Sequence, residues 1–208
     1  VLPFSRFRTP EGVVVDSLLS PEMRSTGEVM GLDTHYDTAF AKAQAGAGSP
    51  LPTEGKVFVS VANHDKRNVI IYAKMLEQLG FEIVSTGGTA DVLRRNGVNS
   101  TVASKFAEAN GQHSIVDMVR SGEIDLILNT PAGGAARSDG YEIRAAAVSV
   151  GCPVMTTISE FAAAVQAITA LREHSWGIIS LQEHNEYLHS ASSGEQEDSN
   201  QVREGELS

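Results

Sequence analysis

The chain has a single cysteine, Cys152, among its 208 residues. One thiol excludes an internal disulfide framework and any zinc site built on several cysteines. No apolar run approaches the 18 residues of a membrane-spanning helix, and the start of the chain lacks the charged, apolar and small-residue order of a signal peptide. We therefore expect a cytoplasmic protein with no membrane partner.

Basic residues are also scarce, because 16 Lys and Arg stand against 26 Asp and Glu and give a formal net charge of −10. A nucleic-acid interface needs clustered cations, so we expect no nucleic-acid partner. A mononucleotide needs only a few local cations and is compatible with this charge. Part of the charge lies in residues 190–208, whose Ser, Gln, Glu and Gly content predicts a disordered acidic tail.

The chain is organised in three regions before this tail. Residues 1–48 are patchy, begin with an extended stretch that suggests a piece of something longer, and contain one predicted short helix, "DTAFAKAQAG". Residues 49–55 are rich in Pro and Gly and predict a linker. Between residues 56 and 189, short apolar strands alternate with helices, as in parallel sheets covered on both faces. The sequence thus predicts an α/β fold, a doubly wound parallel sheet of about five strands preceded by a short irregular or helical segment.

Ligands of doubly wound sheets bind beyond the carboxyl ends of the strands. The second predicted strand ends in "STGGTA", where glycines let backbone N–H groups approach an anion and hydroxyls add donors. Taken alone, two glycines more often make a turn, and Thr89 has a plain role as a helix N-cap. The stretch is therefore a phosphate cradle only if its neighbours support it.

The neighbouring strand ends supply that support. Lys66 follows the first strand and Lys105 the third, although a lone lysine is usually a solvated surface charge. Asn129 and Thr130 end the fourth strand and open a long loop that either closes over a ligand or is a plain surface connection. The coincidence of these groups at adjacent strand ends favours a phosphate site.

Other chemistries find little support in the sequence. It contains neither a Gly-x-Ser-x-Gly elbow nor a P-loop, and its six histidines are scattered, so we expect no metal site. Cys152 has no histidine placed in sequence as a partner, which favours a small core residue over a nucleophile.

The stretches "VLPFSRF", "PEMRSTGEVMG" and "AFAKAQ" resemble the end of the second ATP-grasp unit of the carbamoyl-phosphate synthase large-subunit family. Residues 56–189 resemble the C-terminal allosteric domain of that family, which has the methylglyoxal-synthase-like fold. "STGGTA" is shared across relatives of the fold and does not distinguish them. The resemblance assigns residues 1–48 to the ATP-grasp unit and 49–55 to a linker, and it leaves the tail at 190–208 unmatched.

The resemblance implies a regulatory region that binds a nucleotide monophosphate of the UMP or IMP type, with ornithine as a further effector. The full synthetase would use ATP, Mg and K to make carbamoyl phosphate from bicarbonate and glutamine-derived ammonia, for pyrimidine and arginine biosynthesis. Its partners would be the rest of the large subunit and a glutaminase small subunit, in an oligomer. This segment alone would hold no cofactor and no complete catalytic site.

The family's effector residues transfer by matching position. The phosphate and ribose would be held by Lys66, Thr86, Gly87, Gly88, Thr89, Lys105, Asn129 and Thr130, with Asp139 at the ribose or base. One of Thr156 and Thr157 would face the ornithine site. The family often has Thr where this chain has Pro131, which leaves the identity of the effector open.

Two other assignments remain as alternatives. A free-standing methylglyoxal synthase needs a carboxylate base at the end of strand four, where this chain has "NTPAGG". IMP cyclohydrolase shares "STGGTA", but its Lys-Thr-Leu-His-Pro stretch is absent here. A module for subunit contacts with an empty pocket is compatible with the regulatory hypothesis.

Overall fold

The computed structural model describes residues 29–103, 114–130, 137–173 and 177–185. The chain divides into two compact units, Val1–His174 and Ser175–Ser208. The predicted tail at 190–208 lies outside the described residues. In the second unit a short helix over residues 181–185 begins after Ser180, whose backbone N–H donates to the Glu183 carboxylate at 2.7 Å. The Glu183 N–H donates back to the Ser180 hydroxyl at 3.2 Å, so this helix begins with a capping box.

Helices and strands alternate through the first unit, which contains the sheet. In chain order the elements are α1 (Tyr36–Gly46), β1 (Lys56–Ser60), a 3₁₀ turn (Asn63–Asp65), α2 (Val69–Gln78), β2 (Glu82–Ser85), α3 (Gly87–Arg95), β3 (Thr101–Val102), α4 (Ile115–Arg120), β4 (Leu126–Asn129), α5 (Arg137–Val150), β5 (Val154–Met155) and α6 (Ile158–Glu173). The five strands pair in parallel in the order β3-β2-β1-β4-β5. The predicted α/β fold with a five-stranded parallel sheet is confirmed.

The central strands are buried on both faces, which explains their unbroken apolar sequences. Along β1, Val57 and Val59 belong to the core beneath α1, α2 and α6, whereas Phe58 belongs to a second core beneath α4 and α5. Successive side chains of a strand point to opposite faces, so a strand covered twice cannot alternate between apolar and polar residues. The two cores hold the sheet between two layers of helices.

The region before β1 packs on the sheet domain. α1 lies against α6, and Ala41 of α1 and Leu51 of the predicted linker are both buried in the first core. Lys42 donates to Asp33 at 2.6 Å and so ties the chain before α1 to the helix. Burial would raise the pKa of Asp33, but hydrogen bonds from Lys42 and from the chain itself outweigh it and leave that pKa lowered. The boundaries at residues 48 and 55 stay predictions, although the linker contributes a core side chain.

We expect Phe161→Ala in α6 to destabilise the fold by about 3–5 kcal/mol, because the ring is fully buried and its removal leaves a cavity. The ring also packs edge-on against Tyr72 of α2, with ring centroids 6.4 Å apart, so the substitution loosens two helices. Urea unfolding followed by circular dichroism measures the change. Gln166→Ala at an exposed position of the same helix is the control, and equal effects of the two substitutions would contradict the assigned core.

Candidate functional site

The order of the strands reverses between β1 and β4, which places a crevice at their carboxyl ends. Ser60 and Asn129, the last residues of these strands, are partners in the register. Thr130 closes the junction, because its N–H donates to the Ser60 carbonyl at 3.1 Å and its hydroxyl accepts from the Ala62 N–H at 2.8 Å. Thr130 is thus buried and holds the floor of the crevice together.

The helix α3 begins at this edge, one residue after β2. Thr86 has extended backbone angles and is the N-cap residue, so Gly87 and Gly88 form the first turn of the helix rather than a loop before it. The N–H groups of a first helical turn lack acceptors within the helix and point outward with the positive end of its dipole. The first turn of α3 therefore presents backbone N–H groups beside the crevice.

The role suggested for Thr89 as an N-cap is wrong. Thr89 lies within the first turn of α3, three residues after the N-cap residue, and is almost fully buried. Its hydroxyl accepts from the Thr86 hydroxyl at 3.3 Å and from the Val61 N–H at 3.5 Å. The side chain thus joins the start of α3 to the segment that follows β1, a tertiary contact that local sequence does not reveal.

Lys66 brings a cation to the same helix end. Its Nζ lies 3.2 Å from the position that a Cβ on Gly88 would occupy, so the ammonium rests against the first turn of α3. Among the described ion pairs none involves Lys66. A lysine beside the positive end of a helix is electrostatically unfavourable unless an anion joins the two.

The other side of the crevice contains two groups that the sequence reasoning missed, Gly140 and Arg144 of α5. A Cβ built on Gly140 would lie 2.8 Å from Nη1 of Arg144 and 3.1 Å from Nδ2 of Asn129. Asn129 is only 7% exposed, and its Nδ2 has no hydrogen-bond partner. Spacing offered a signal, since residues four apart share one helix face and Arg144 is the only cation in the stretch "YEIRAAAVSV".

The remaining predicted residues fall into two groups. Thr156 and Thr157 follow β5, on the far side of β4 from β1, and both are exposed. They cap α6, because the Glu160 N–H donates to the Thr157 hydroxyl at 3.1 Å and the Thr156 N–H donates to the Glu160 carboxylate at 2.9 Å. Lys105, Pro131 and the side chain of Asp139 lie outside the described residues.

Cys152 is a packing residue. Its thiol is partly buried beside β5 and donates to the Ile124 carbonyl at 3.4 Å. Burial, assisted by the nearby Asp125 charge, raises the pKa of the Cys152 thiol to about 12. Within the described ranges no three His, Cys, Asp or Glu residues form a group that could hold a metal ion, and no helix there is long and apolar enough to cross a membrane.

Comparison with known proteins gives a family and a set of relatives. Residues 68–156 match the model of the MGS-like domain family. The chain is 70% identical over 187 residues to the carbamoyl phosphate synthase large chain of Pseudarthrobacter chlorophenolicus, an alignment covering 88% of this chain and 17% of the relative. It is 68% identical over 194 residues to the large chain of Paenarthrobacter aurescens, covering 92% and 18%. The chain thus spans about a sixth of the length of the curated relatives it matches.

Among solved structures, the methylglyoxal synthase of Elizabethkingia anophelis aligns with a TM-score of 0.42 and 17% sequence identity. The alignment covers 54% of this chain and 79% of that protein.

We expect iodoacetamide to modify Cys152 at about pH 8 at least a hundredfold more slowly in the native chain than in concentrated urea. The thiolate is the reacting species, and a pKa of about 12 leaves very little of it at that pH. Mass spectrometry of quenched samples measures the two rates, and free cysteine in each buffer corrects for the effect of urea on the reagent. Equal rates would show that the thiol is accessible and ionised, against the packing described above.

Proposed function

We propose that the chain is the allosteric region of a carbamoyl phosphate synthase large chain. The proposal is supported by the match of residues 68–156 to the MGS-like domain family and by the match of most of the chain to such large chains. The ligand of this region is a nucleoside monophosphate of the UMP or IMP type, bound at the carboxyl edge of the sheet.

The observation on which this proposal rests is the convergence of Lys66 and the first turn of α3. Gly88 has no side chain, so the ammonium lies beside the first turn of α3, where the first N–H groups of the helix have no acceptor within it. The Lys66 ammonium and the positive end of the helix repel each other, whereas a phosphate bound between them would attract both. An uncharged ligand would leave the repulsion in place.

The geometry divides the other assigned residues by role. Thr86 keeps its hydroxyl near the helix end, while Thr89 and Thr130 are buried and hold the crevice in shape. Asn129 has an unused amide donor that faces the crevice side of α5. We assign direct contacts with the ligand to Thr86 and Asn129, together with Lys105 and Asp139 as the resemblance implies.

An ornithine contact would fall to Thr156 rather than to Thr157. The Thr157 hydroxyl already accepts from the Glu160 N–H at the start of α6, whereas the Thr156 hydroxyl is exposed and makes no described hydrogen bond. Removing the Thr157 hydroxyl would weaken the helix as well as any ligand contact, because capping contributes about 1 kcal/mol.

The ligand would act on the attached synthetase by shifting a conformational equilibrium. Its effect can be no larger than the difference between its affinities for the two states. The synthetase would make carbamoyl phosphate from bicarbonate and glutamine-derived ammonia with ATP, Mg and K, together with a glutaminase subunit, in a cytoplasmic oligomer. The end of β4 favours regulation over catalysis on this fold, since Asn129 and Thr130 stand where a carboxylate base would be needed.

The first test is a calorimetric titration of the 208-residue chain with UMP and IMP, with uridine and inosine as controls that lack the phosphate. We expect binding of at least one monophosphate and none of its nucleoside. Equal affinities for nucleotide and nucleoside would show that the phosphate does not contribute to binding, which contradicts the proposed phosphate site. Absence of any binding would contradict it for this chain.

The Lys66→Gln substitution tests whether the phosphate of the ligand binds beside Lys66. We expect it to weaken monophosphate binding about tenfold, or about 1.4 kcal/mol, because one charge-assisted contact is lost. Lys74→Gln, at an exposed position of α2, is the matched control with the same change in net charge. Equal weakening by the two variants would mean that net charge rather than the site is responsible.

A further inference from the structure

The two donors beside Gly140 make no described hydrogen bond. Nη1 of Arg144 and Nδ2 of Asn129 lie 2.8 and 3.1 Å from one point beside Gly140, and therefore within about 6 Å of each other. The amide is buried and unpartnered, and no hydrogen bond or ion pair of Arg144 is found among the described residues. A buried donor without an acceptor lowers the stability of the folded state, and neither donor makes a described contact that would offset this loss.

We propose that Arg144 and Asn129 form a second donor pair that binds the same phosphate as Lys66 and α3, so that the crevice closes on the anion from two sides. This inference rests on the proposed function and deepens it. It assigns a ligand contact to Arg144 and makes a phosphate monoester dianion the chemical class that the site prefers.

The width of the crevice supports a single anion. β2 and β4 flank β1, and neighbouring strands lie about 4.8 Å apart, so the end of β2 and the end of β4 are separated by about 10 Å. Side chains and the first turn of α3 narrow that gap from both sides. A phosphate with hydrogen bonds on opposite faces spans roughly 8 Å, and it can therefore touch both donor sets from above β1.

The balance of charge favours a dianion. A phosphate monoester has a charge between about −1.5 and −2 near neutral pH, because its second pKa is about 6. Lys66 alone would leave such a ligand with excess negative charge in a crevice whose floor is buried. Arg144 supplies the second positive charge, and its planar guanidinium suits phosphate oxygens geometrically.

Gly140 makes this arrangement possible. It is buried inside α5, where glycine lowers helix stability relative to alanine, so the fold itself does not favour it. An added Cβ would meet the ends of the Arg144 and Asn129 side chains rather than any backbone atom. The missing side chain therefore leaves room for the two donors at the crevice.

The test is a calorimetric titration of the 208-residue chain and its variants with UMP, IMP and inorganic phosphate. We expect Arg144→Gln to lower about tenfold the affinity for every anion that binds. We expect Arg120→Gln to leave these affinities unchanged. Arg120 has the same charge as Arg144 and is exposed at the end of α4, next to the amino edge of the sheet, so it is the matched control. Circular dichroism and thermal melting show whether each variant is folded.

Gly140→Ala is the second variant. We expect its melting temperature to stay the same or rise, because alanine favours the helix, while anion affinity falls because both donors are displaced. Reduced affinity with unchanged stability separates a ligand contact from a structural role of Arg144.

Three results would overturn parts of this picture in different ways. Weakening by Lys66→Gln but not by Arg144→Gln would refute the second donor pair and leave the proposed function standing. If Arg144→Gln weakened the binding of UMP but not of inorganic phosphate, the proposal that Arg144 and Lys66 bind the same phosphate would be refuted. Binding of inorganic phosphate that depends on Arg144, without binding of either nucleotide, would support the donor pair and refute the proposed nucleotide function.

Discussion

The junction between β1 and β4 is the constraint on which the rest of the molecule depends. Ser60 and Asn129 end these strands side by side, and Thr130 bonds with its backbone to Ser60 and with its hydroxyl to the Ala62 N–H. Buried backbone groups must find partners, and the paired register of β1 and β4 ends at Ser60 and Asn129. Thr130 supplies the partners just beyond that point and so fixes the floor of the crevice.

An acidic chain can still offer a site for an anion, because local contacts dominate over net charge. The formal charge is −10, yet Lys66 lies at the N-terminal turn of α3 and Arg144 lies near Asn129 at the end of β4. Salt screens exposed charges over about 8–10 Å, whereas donors in contact with a ligand are screened much less. The net charge would therefore slow the approach of an anion more than it would weaken a bound one.

Glycine serves two purposes in this chain. Gly80 and Gly97 have positive φ angles just beyond the ends of α2 and α3, where left-handed backbone ends a helix. Gly88 and Gly140 lie within helices with ordinary angles, and the space of the missing side chain is taken by Lys66 and by Arg144 with Asn129. These two glycines are explained by neighbouring cations rather than by backbone conformation.

The sequence by itself determined the alternation of strands and helices, the sheet buried on both faces and the polar strand ends. These features are local, because burial on two faces shows directly as unbroken apolar runs and turns show as Gly and Pro. Only the tertiary structure decided that Thr89 is a buried link to the segment that follows β1. It alone brought Arg144 to Asn129 across Gly140. Contacts between elements depend on how helices pack over the sheet, and the residues that make them carry no sequence signal stronger than an isolated polar side chain on an apolar face.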